Sequence, residues 1–188
     1  ESLEKLIAAC EKNNKVFRYA LEDAWIMSSF FFATGCKSNW TMNETGAYTS
    51  VEDTFNSAEG LIAMKGMQKL AQSPCYNGDA NVFTDAAVVV TGVWNATAAA
   101  DHFGENLAAT DLPSFEVDGK SYHLGSFTGN KLIGVKPQTE AKRAAVLSKL
   151  AQYLTGKDCQ TQRFESFEWG PSNKEAQASE KVQQSAFP

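Results

Sequence analysis

The chain has 188 residues, 43% of them apolar and 21% charged, which suits one globular domain or two small lobes sharing a core that needs no covalent staples. Its 17 basic and 22 acidic residues leave a net charge of -5, with no cluster of Lys and Arg to track a phosphate backbone, so nucleic acid is a poor partner. The most apolar stretch, "SSFFFATG", is far shorter than the about 20 residues that cross a bilayer and ends in turn formers.

The chain opens directly on "ESLEKLIAACEKNNK", a helix with Leu3, Leu6, Ile7 and Cys10 on one face. No signal-peptide pattern precedes it, which reads as a trimmed start or an internal fragment. "KVFRYALED" follows as a short strand through Val16, Phe17 and Tyr19, then "DAWIMSSFFFATGC" as a helix closed by Gly35. "KSNWTMNETGAYTS" is polar and turn-rich, a surface loop or short hairpin. Phe55, Ala58, Ile62, Ala63, Met67 and Leu70 recur at helical spacing up to "QSPCYNGD", although Gly66 inside that helix costs about 1 kcal/mol.

"AAVVVTG" reads as a central strand, because an unbroken branched apolar run suits burial on both faces of a parallel sheet. A brief helix runs from Trp94 to about His102, "NLAATDLPSF" supplies another strand, and Asp118-Gly119 in "FEVDGKSYHL" marks a hairpin. "KLIGV" is a further strand. "TEAKRAAVLSKLAQYLTGKD" is a helix with Ala144, Leu147, Leu150, Ala151 and Leu154 inward; "CQTQRFESF" is one more helix, "EWGPSN" breaks it, and the tail "KEAQASEKVQQSAFP" has helical propensity. The alternation predicts an α/β fold with a mostly parallel sheet.

The chain lacks a nucleophile elbow, a phosphate-binding glycine loop and a zinc-protease motif. Cys10, Cys36, Cys75 and Cys159 form no C-x-x-C pair and have no His at ligand spacing, so no metal and no cofactor is expected. Cys10 reads as a small buried hydrophobe, whereas Cys36 and Cys75, in turn-rich segments, are candidates for a bridge in an exported protein. His102 and His123 read as surface residues, and the Asn-x-Thr sequons at Asn39, Asn43 and Asn95 carry little weight.

The remaining signal is aromatic. Trp25, Trp40, Trp94 and Trp169 all fall at or near element ends. Trp94 follows the strand "AAVVV", and Asp23 with Trp25 opens the helix after "VFRY". These are the edges where open α/β sheets place ligands. An indole face stacks on the C–H face of a sugar while a carboxylate accepts hydroxyl hydrogen bonds. The alternative is that Trp25 and Trp94 fill the core.

The ordered set "SLEKLIAACEKNNK", "FRYALEDAWIMSSFFFATG", "NSAEGLIAMKGMQKL", "FTDAAVVVTGVWN", "LAATDLPSF", "KLIGVKPQTEAKRAAVLSKLAQYLTGKDCQTQRF" and "GPSNKEAQ" resembles the extracellular solute-binding proteins of bacterial ABC importers, in the maltose and maltodextrin-binding group. The resemblance spans nearly the whole chain. It departs at "FTDAAVVV", which is shorter than the usual form and lacks its Gly-Lys.

The resemblance implies two α/β lobes joined by a hinge and closing on a sugar. Residues 1–125 would form most of the second lobe; residues 126–188 would carry the crossing, near "GSFTGN", and part of the first. The chain would then be a fragment of a longer protein, with "KLIGV" short of its sheet partners. Trp94 matches the family's aromatic after its "G-x-W" strand, and Asp23 with Trp25 its acidic and aromatic pair. Glu22, Asn95 and Trp169 complete the candidate ligand-binding set. The implied partners are an oligosaccharide or other small solute and an ABC permease, at an extracellular, cell-surface or periplasmic location, with membrane attachment only through a lipid anchor on the missing N-terminal part. Two rival readings keep less of this. One is a receptor for a polyamine, phosphate ester or other solute; the other is a glycosidase using Glu22 or Asp23.

Overall fold

The computed structural model describes residues 1–127 and 129–185; Thr128, inside the expected crossing, and the last three residues of the expected helical tail lie outside that description. The chain divides into two compact units, Glu1–Thr91 with Thr110–Thr128, and Gly92–Ala109 with Gly129–Pro188.

In the first unit α1 (Leu3–Lys12) begins at Ser2, whose hydroxyl accepts from the Lys5 N–H, and it buries Leu3 and Cys10 completely. β1 (Val16–Tyr19) then lies between β4 (Tyr76–Asn77) and β5 (Ala86–Val90), parallel to both. Phe17, Arg18 and Tyr19 are all buried, as a strand covered on both faces requires. The sequence reading puts "AAVVVTG" in that central place. Instead β5 flanks the three-stranded sheet, with Ala87 exposed and Val88 and Val89 half-buried. The true centre is a four-residue strand interrupted by an arginine, too short to outrank five apolar residues on pattern alone.

α2 (Ala24–Thr34) starts at Asp23 and ends at Gly35, whose φ of 91° is the left-handed closure the glycine predicts. "KSNWTMNETGAYTS" is a hairpin of β2 (Ser38–Met42) and β3 (Tyr48–Asp53), exposed along its whole length. α3 (Ala58–Ala71) is capped by Ser57 and buries Ala63, Gly66, Met67 and Leu70. Gly66 is where the Phe115 ring lands: a Cβ there would meet that ring at 2.5 Å, so the helix gives up propensity for a close approach.

Phe115 belongs to β6 (Ser114–Val117), antiparallel to β7 (Lys120–His123) across an Asp118-Gly119 turn with φ of 52° and 77°, the hairpin the sequence predicts. The strand expected over "NLAATDLPSF" forms only from Ser114, because Pro113 just before it has no N–H to donate to a ladder. Leu3, Phe17, Tyr19, Phe30, Leu70 and Phe115 close the core with zero exposure. The architecture is mixed α/β, a parallel sheet flanked by helices.

The second unit holds a 3₁₀ turn (Val93–Asn95) running into α4 (Ala96–Phe103), then α5 (Ala141–Leu154), α6 (Lys157–Phe167), α7 (Lys174–Gln177) and α8 (Glu180–Gln183). "KLIGV" forms no strand: Leu132 is 89% exposed and no ladder reaches it among the described residues. α5 is the expected helix but buries no residue; Ala144, Leu147, Ala151 and Leu154 are half-buried and Leu150 is exposed. α6 and α7 are tied by the buried Gln160 side chain, which accepts from the Ser172 and Asn173 N–H groups at 2.7 and 2.9 Å and donates to the Thr155 carbonyl.

Candidate functional site

The site grows from the C-terminal end of β1. Tyr19 closes the strand, Ala20 to Asp23 form a turn, and the Asp23 carboxylate accepts the Trp25 N–H at 2.8 Å, so one side chain both starts α2 and fixes the indole's departure from the backbone. The Trp25 ring stacks on Phe127, centroids 4.0 Å apart at 26°, and Phe127 in turn meets Phe32 edge-on at 4.8 Å. Trp25 nevertheless remains 52% exposed, so it is not a core residue. Phe127, one of 12 phenylalanines without a distinguishing neighbourhood in the sequence, gives no advance signal of this role.

Beside this turn a cavity of about 420 Å³ opens, with Glu22 and Asp23 on one wall and Gly78, Asp79 and Asn81 on the other. The second wall is folded by local polar geometry. Asn77 Oδ1 accepts the Asp79 N–H at 2.9 Å, and Asp79 Oδ1 accepts the Asn81 N–H at 3.0 Å, successive Asx turns. Beneath it lies Arg18, 8% exposed, which donates to Asn77 Oδ1 and the Asp79 carbonyl at 3.1 Å and to the Thr84 carbonyl at 3.0 Å. Its guanidinium therefore spans the whole loop, and only Nε is left unpaired.

Gly78 matters for space: a Cβ there would come within 2.8–2.9 Å of the Glu22 carboxylate oxygens. Tyr76, at the foot of this wall, has its phenol pushed above the ordinary range by burial and by the negative charge of Glu22, with a hydrogen bond at Leu21 opposing them. Sequence reasoning misses Arg18 and the wall at residues 78–81. The Asn-Gly-Asp-Ala-Asn run is the signal that marks the wall.

In the second unit Trp94 lies in the 3₁₀ turn and is 60% exposed. Its six-membered ring folds back over Gly92: a Cβ at Gly92 would sit 2.1–2.4 Å from three ring carbons. The glycine that ends the strand run thus leaves room for the indole to lie against the backbone, and core filling is excluded for Trp94 as for Trp25. Asn95 closes the same turn and immediately precedes α4. Trp169, 39% exposed, packs against Phe167 at 5.7 Å and beneath the Lys131 ammonium at 5.6 Å. Of the predicted site residues, Glu22, Asp23 and Trp25 are brought together in the first unit, and Trp94 and Asn95 in the second.

Cys36 and Cys75 are both buried and free, so the considered bridge between them is not formed. Among the described residues no group of three His, Cys, Asp or Glu side chains is arranged to hold a metal ion, and no helix is long and apolar enough to cross a membrane.

The family described as bacterial extracellular solute-binding protein matches residues 1–188. No curated protein matches the chain. Two solved structures resemble it. The ligand-free maltodextrin binding protein MalE1 from L. casei BL23 is 20% identical with a TM-score of 0.63, over 92% of this chain and 46% of that one. The GacH receptor of Streptomyces glaucescens GLA.O, studied unliganded and with acarbose, is 16% identical with a TM-score of 0.64, over 98% of this chain and 49% of that one. The chain spans about half the length of both.

Proposed function

Because this chain belongs to the bacterial extracellular solute-binding proteins, we propose that it is the carbohydrate-receiving part of an importer's binding protein, acting without catalysis. The observation that carries this reading is the exposure of both indoles, Trp25 at 52% and Trp94 at 60%, each on a backbone device that leaves ring surface to solvent. The exposed indole faces supply flat apolar surface for sugar C–H faces. Glu22, Asp79 and Asn81 around the neighbouring cavity supply hydroxyl acceptors. The named ligands of the two similar structures, maltodextrin and acarbose, point the same way.

In this reading Trp25 and Trp94 each stack on a sugar ring, Glu22 and Asp79 read hydroxyls, and Asn95 and Trp169 are secondary contacts. Asp23 is committed chiefly to the α2 cap. Residues 1–125 belong to one lobe of the longer protein and residues 126–188 to the crossing and part of the other. Ligand-driven closure would then present the loaded form to an ABC permease. A lipid anchor would tether the complete protein.

A second reading has one observation in its favour: Glu22, Asp23 and Asp79 gather around one cavity, as a receptor for an amine-bearing solute requires. Calorimetric titration with maltotriose and separately with spermidine tests the two. The carbohydrate reading expects heat from maltotriose that is nearly insensitive to salt. Heat from spermidine alone, fading as salt rises, would replace it with the cationic-solute reading.

A further inference from the structure

Asn77 and Gly78 form the only Asn-Gly pair in the chain. The pair stands where β4 ends and the cavity wall begins, with Asn77 exposed. Glycine carries no Cβ, so nothing on residue 78 screens its backbone nitrogen from the Asn77 carboxamide. The fold adds two features. Asn77 Oδ1 accepts the Asp79 N–H at 2.9 Å, an Asx turn that bends the carboxamide back over the Asn77–Gly78 peptide bond and draws Cγ and the Gly78 nitrogen into one hydrogen-bonded ring. The same oxygen accepts Arg18 Nη1 at 3.1 Å, from a guanidinium that is 8% exposed and also fixed by the Asp79 and Thr84 carbonyls. Two donors, one of them charged, thus converge on the oxygen that becomes negative when a nucleophile adds to Cγ. Asn43 and Asn173 bend in the same way, each accepting the N–H two residues on at 3.1 and 3.0 Å, but they are followed by Glu44 and Lys174, whose side chains crowd that approach.

We propose that Asn77 is a self-modification site: in the folded protein it deamidates through a succinimide, and the isoaspartyl product releases the cavity wall. The Gly78 N–H gives its proton to solvent hydroxide, and the nitrogen attacks Asn77 Cγ. An N–C bond forms and the carbonyl electrons move onto Oδ1, facing Arg18 and the Asp79 N–H. The Cγ–Nδ2 bond then breaks, and Nδ2 takes a proton from water and leaves as ammonia. Water adds to the resulting five-membered imide. Opening at Cγ gives an ordinary aspartyl residue; opening at the backbone carbonyl leaves the main chain running through the former side chain. In sum one water is consumed and one ammonia is released, with no oxidation or reduction.

The two products act differently on the wall. The aspartyl form keeps an oxygen where Arg18 and the Asp79 N–H donate, and adds a negative charge beside the guanidinium. The isoaspartyl form inserts a methylene into the main chain directly after the Arg18–Asn77 ladder pair, and turns the shared acceptor into a main-chain carbonyl. Gly78 is then displaced beside the Glu22 carboxylate, where even a Cβ would come within 2.8–2.9 Å. Residues 78–81 lose the turn that shapes them. The reaction needs only water and is independent of the solute that the cavity receives.

The test holds the purified, folded chain in mildly alkaline buffer beside a sample in denaturant, digests both in mild acid and maps the peptides by mass, with isoaspartyl methyltransferase labelling to identify the rearranged product. The expected result is loss of the Asn77 amide in the folded sample, as a mixture of aspartyl and isoaspartyl forms, while Asn43 and Asn173 remain amides. Thermal melts should show a less stable population that grows with the isoaspartyl fraction and is absent from freshly made Asn77→Asp. Gly78→Ala should slow the conversion; should that variant fail to fold, the parent's map and melts decide alone. An Asn77 that stays an amide in the folded sample, converts only in denaturant or yields no isoaspartyl form would overturn the proposal, as would an aged sample that melts like the fresh one.

Discussion

The first unit seals Phe17, Tyr19, Phe30 and Phe115 from solvent, whereas the second leaves Leu132 89%, Val146 59% and Leu150 49% exposed. The contrast separates two kinds of signal. α5 forms over Ala141–Leu154 although it buries nothing, because its hydrogen bonds close within the helix. "KLIGV" is a mostly apolar run and does not become a strand, because a strand exists only against a neighbour. β1 has neighbours on both sides and is a strand at four residues. Partner supply, more than hydrophobicity, decides which of these segments becomes a strand.

The largest test of that contrast is a pair of truncations. Phe115→Ala removes the ring that packs on Gly66 and lies 5.1 Å from Phe30 and 5.5 Å from Tyr122. It should lower stability by about 3–5 kcal/mol, while Leu150→Ala on α5 should stay within about 0.5–1 kcal/mol. Denaturant midpoints measure both, and equal losses would show that α5 is packed as tightly as the core. Next in size, Gln160→Leu strands the Ser172 and Asn173 amides and should weaken the second unit by about 1–3 kcal/mol. Hydrogen exchange should accelerate at those two amides while the β1 amides keep their protection.

The helices were the legible part of the fold. Asp23 and Gly35 bracket α2, apolar spacing from Ala58 to Leu70 marks α3, and Asp118-Gly119 marks a hairpin, all from signals carried within a few residues. What escaped was non-local. Nothing in the two residues of β4 states that they pair with Phe17 and Arg18, and nothing beside Arg18 in the sequence states that its guanidinium holds a loop around Asp79. The candidate site divides the same way. Trp25, Trp94, Glu22 and Asp23 were readable from their places at element ends, while Phe127 and the wall at residues 78–81 depend on chain segments brought together only by folding.

Arg18→Met sharpens the contrast at the site itself. It leaves the β1 backbone intact but removes every hydrogen bond from that side chain to the wall, so ligand affinity should fall about tenfold or more with a stability loss of about 1–3 kcal/mol, read by calorimetry and thermal melts. The smallest effect is electrostatic. Burial opposes ionisation of Glu4, but the Glu116 N–H and the Lys69 ammonium, both near 3 Å, win and hold its carboxyl below the usual range. A lowered folded-state value means that Glu4 stabilises the protein above the ordinary carboxylate range and loses that contribution as pH falls through its own titration. Glu4→Gln should therefore flatten the acid limb of the stability profile by about 1 kcal/mol or less, and leave the profile near neutrality parallel to the parent's.

The proposal most open to a direct test is that the exposed indole of Trp25, and separately that of Trp94, stacks on a sugar ring. Titrating the protein with maltodextrins while following tryptophan fluorescence tests it most directly, with Trp25→Ala and Trp94→Ala alongside. The expected result is a saturable change that shrinks in each variant and vanishes when both are replaced. A parent protein that never responds, or a response that survives both replacements undiminished, would contradict it.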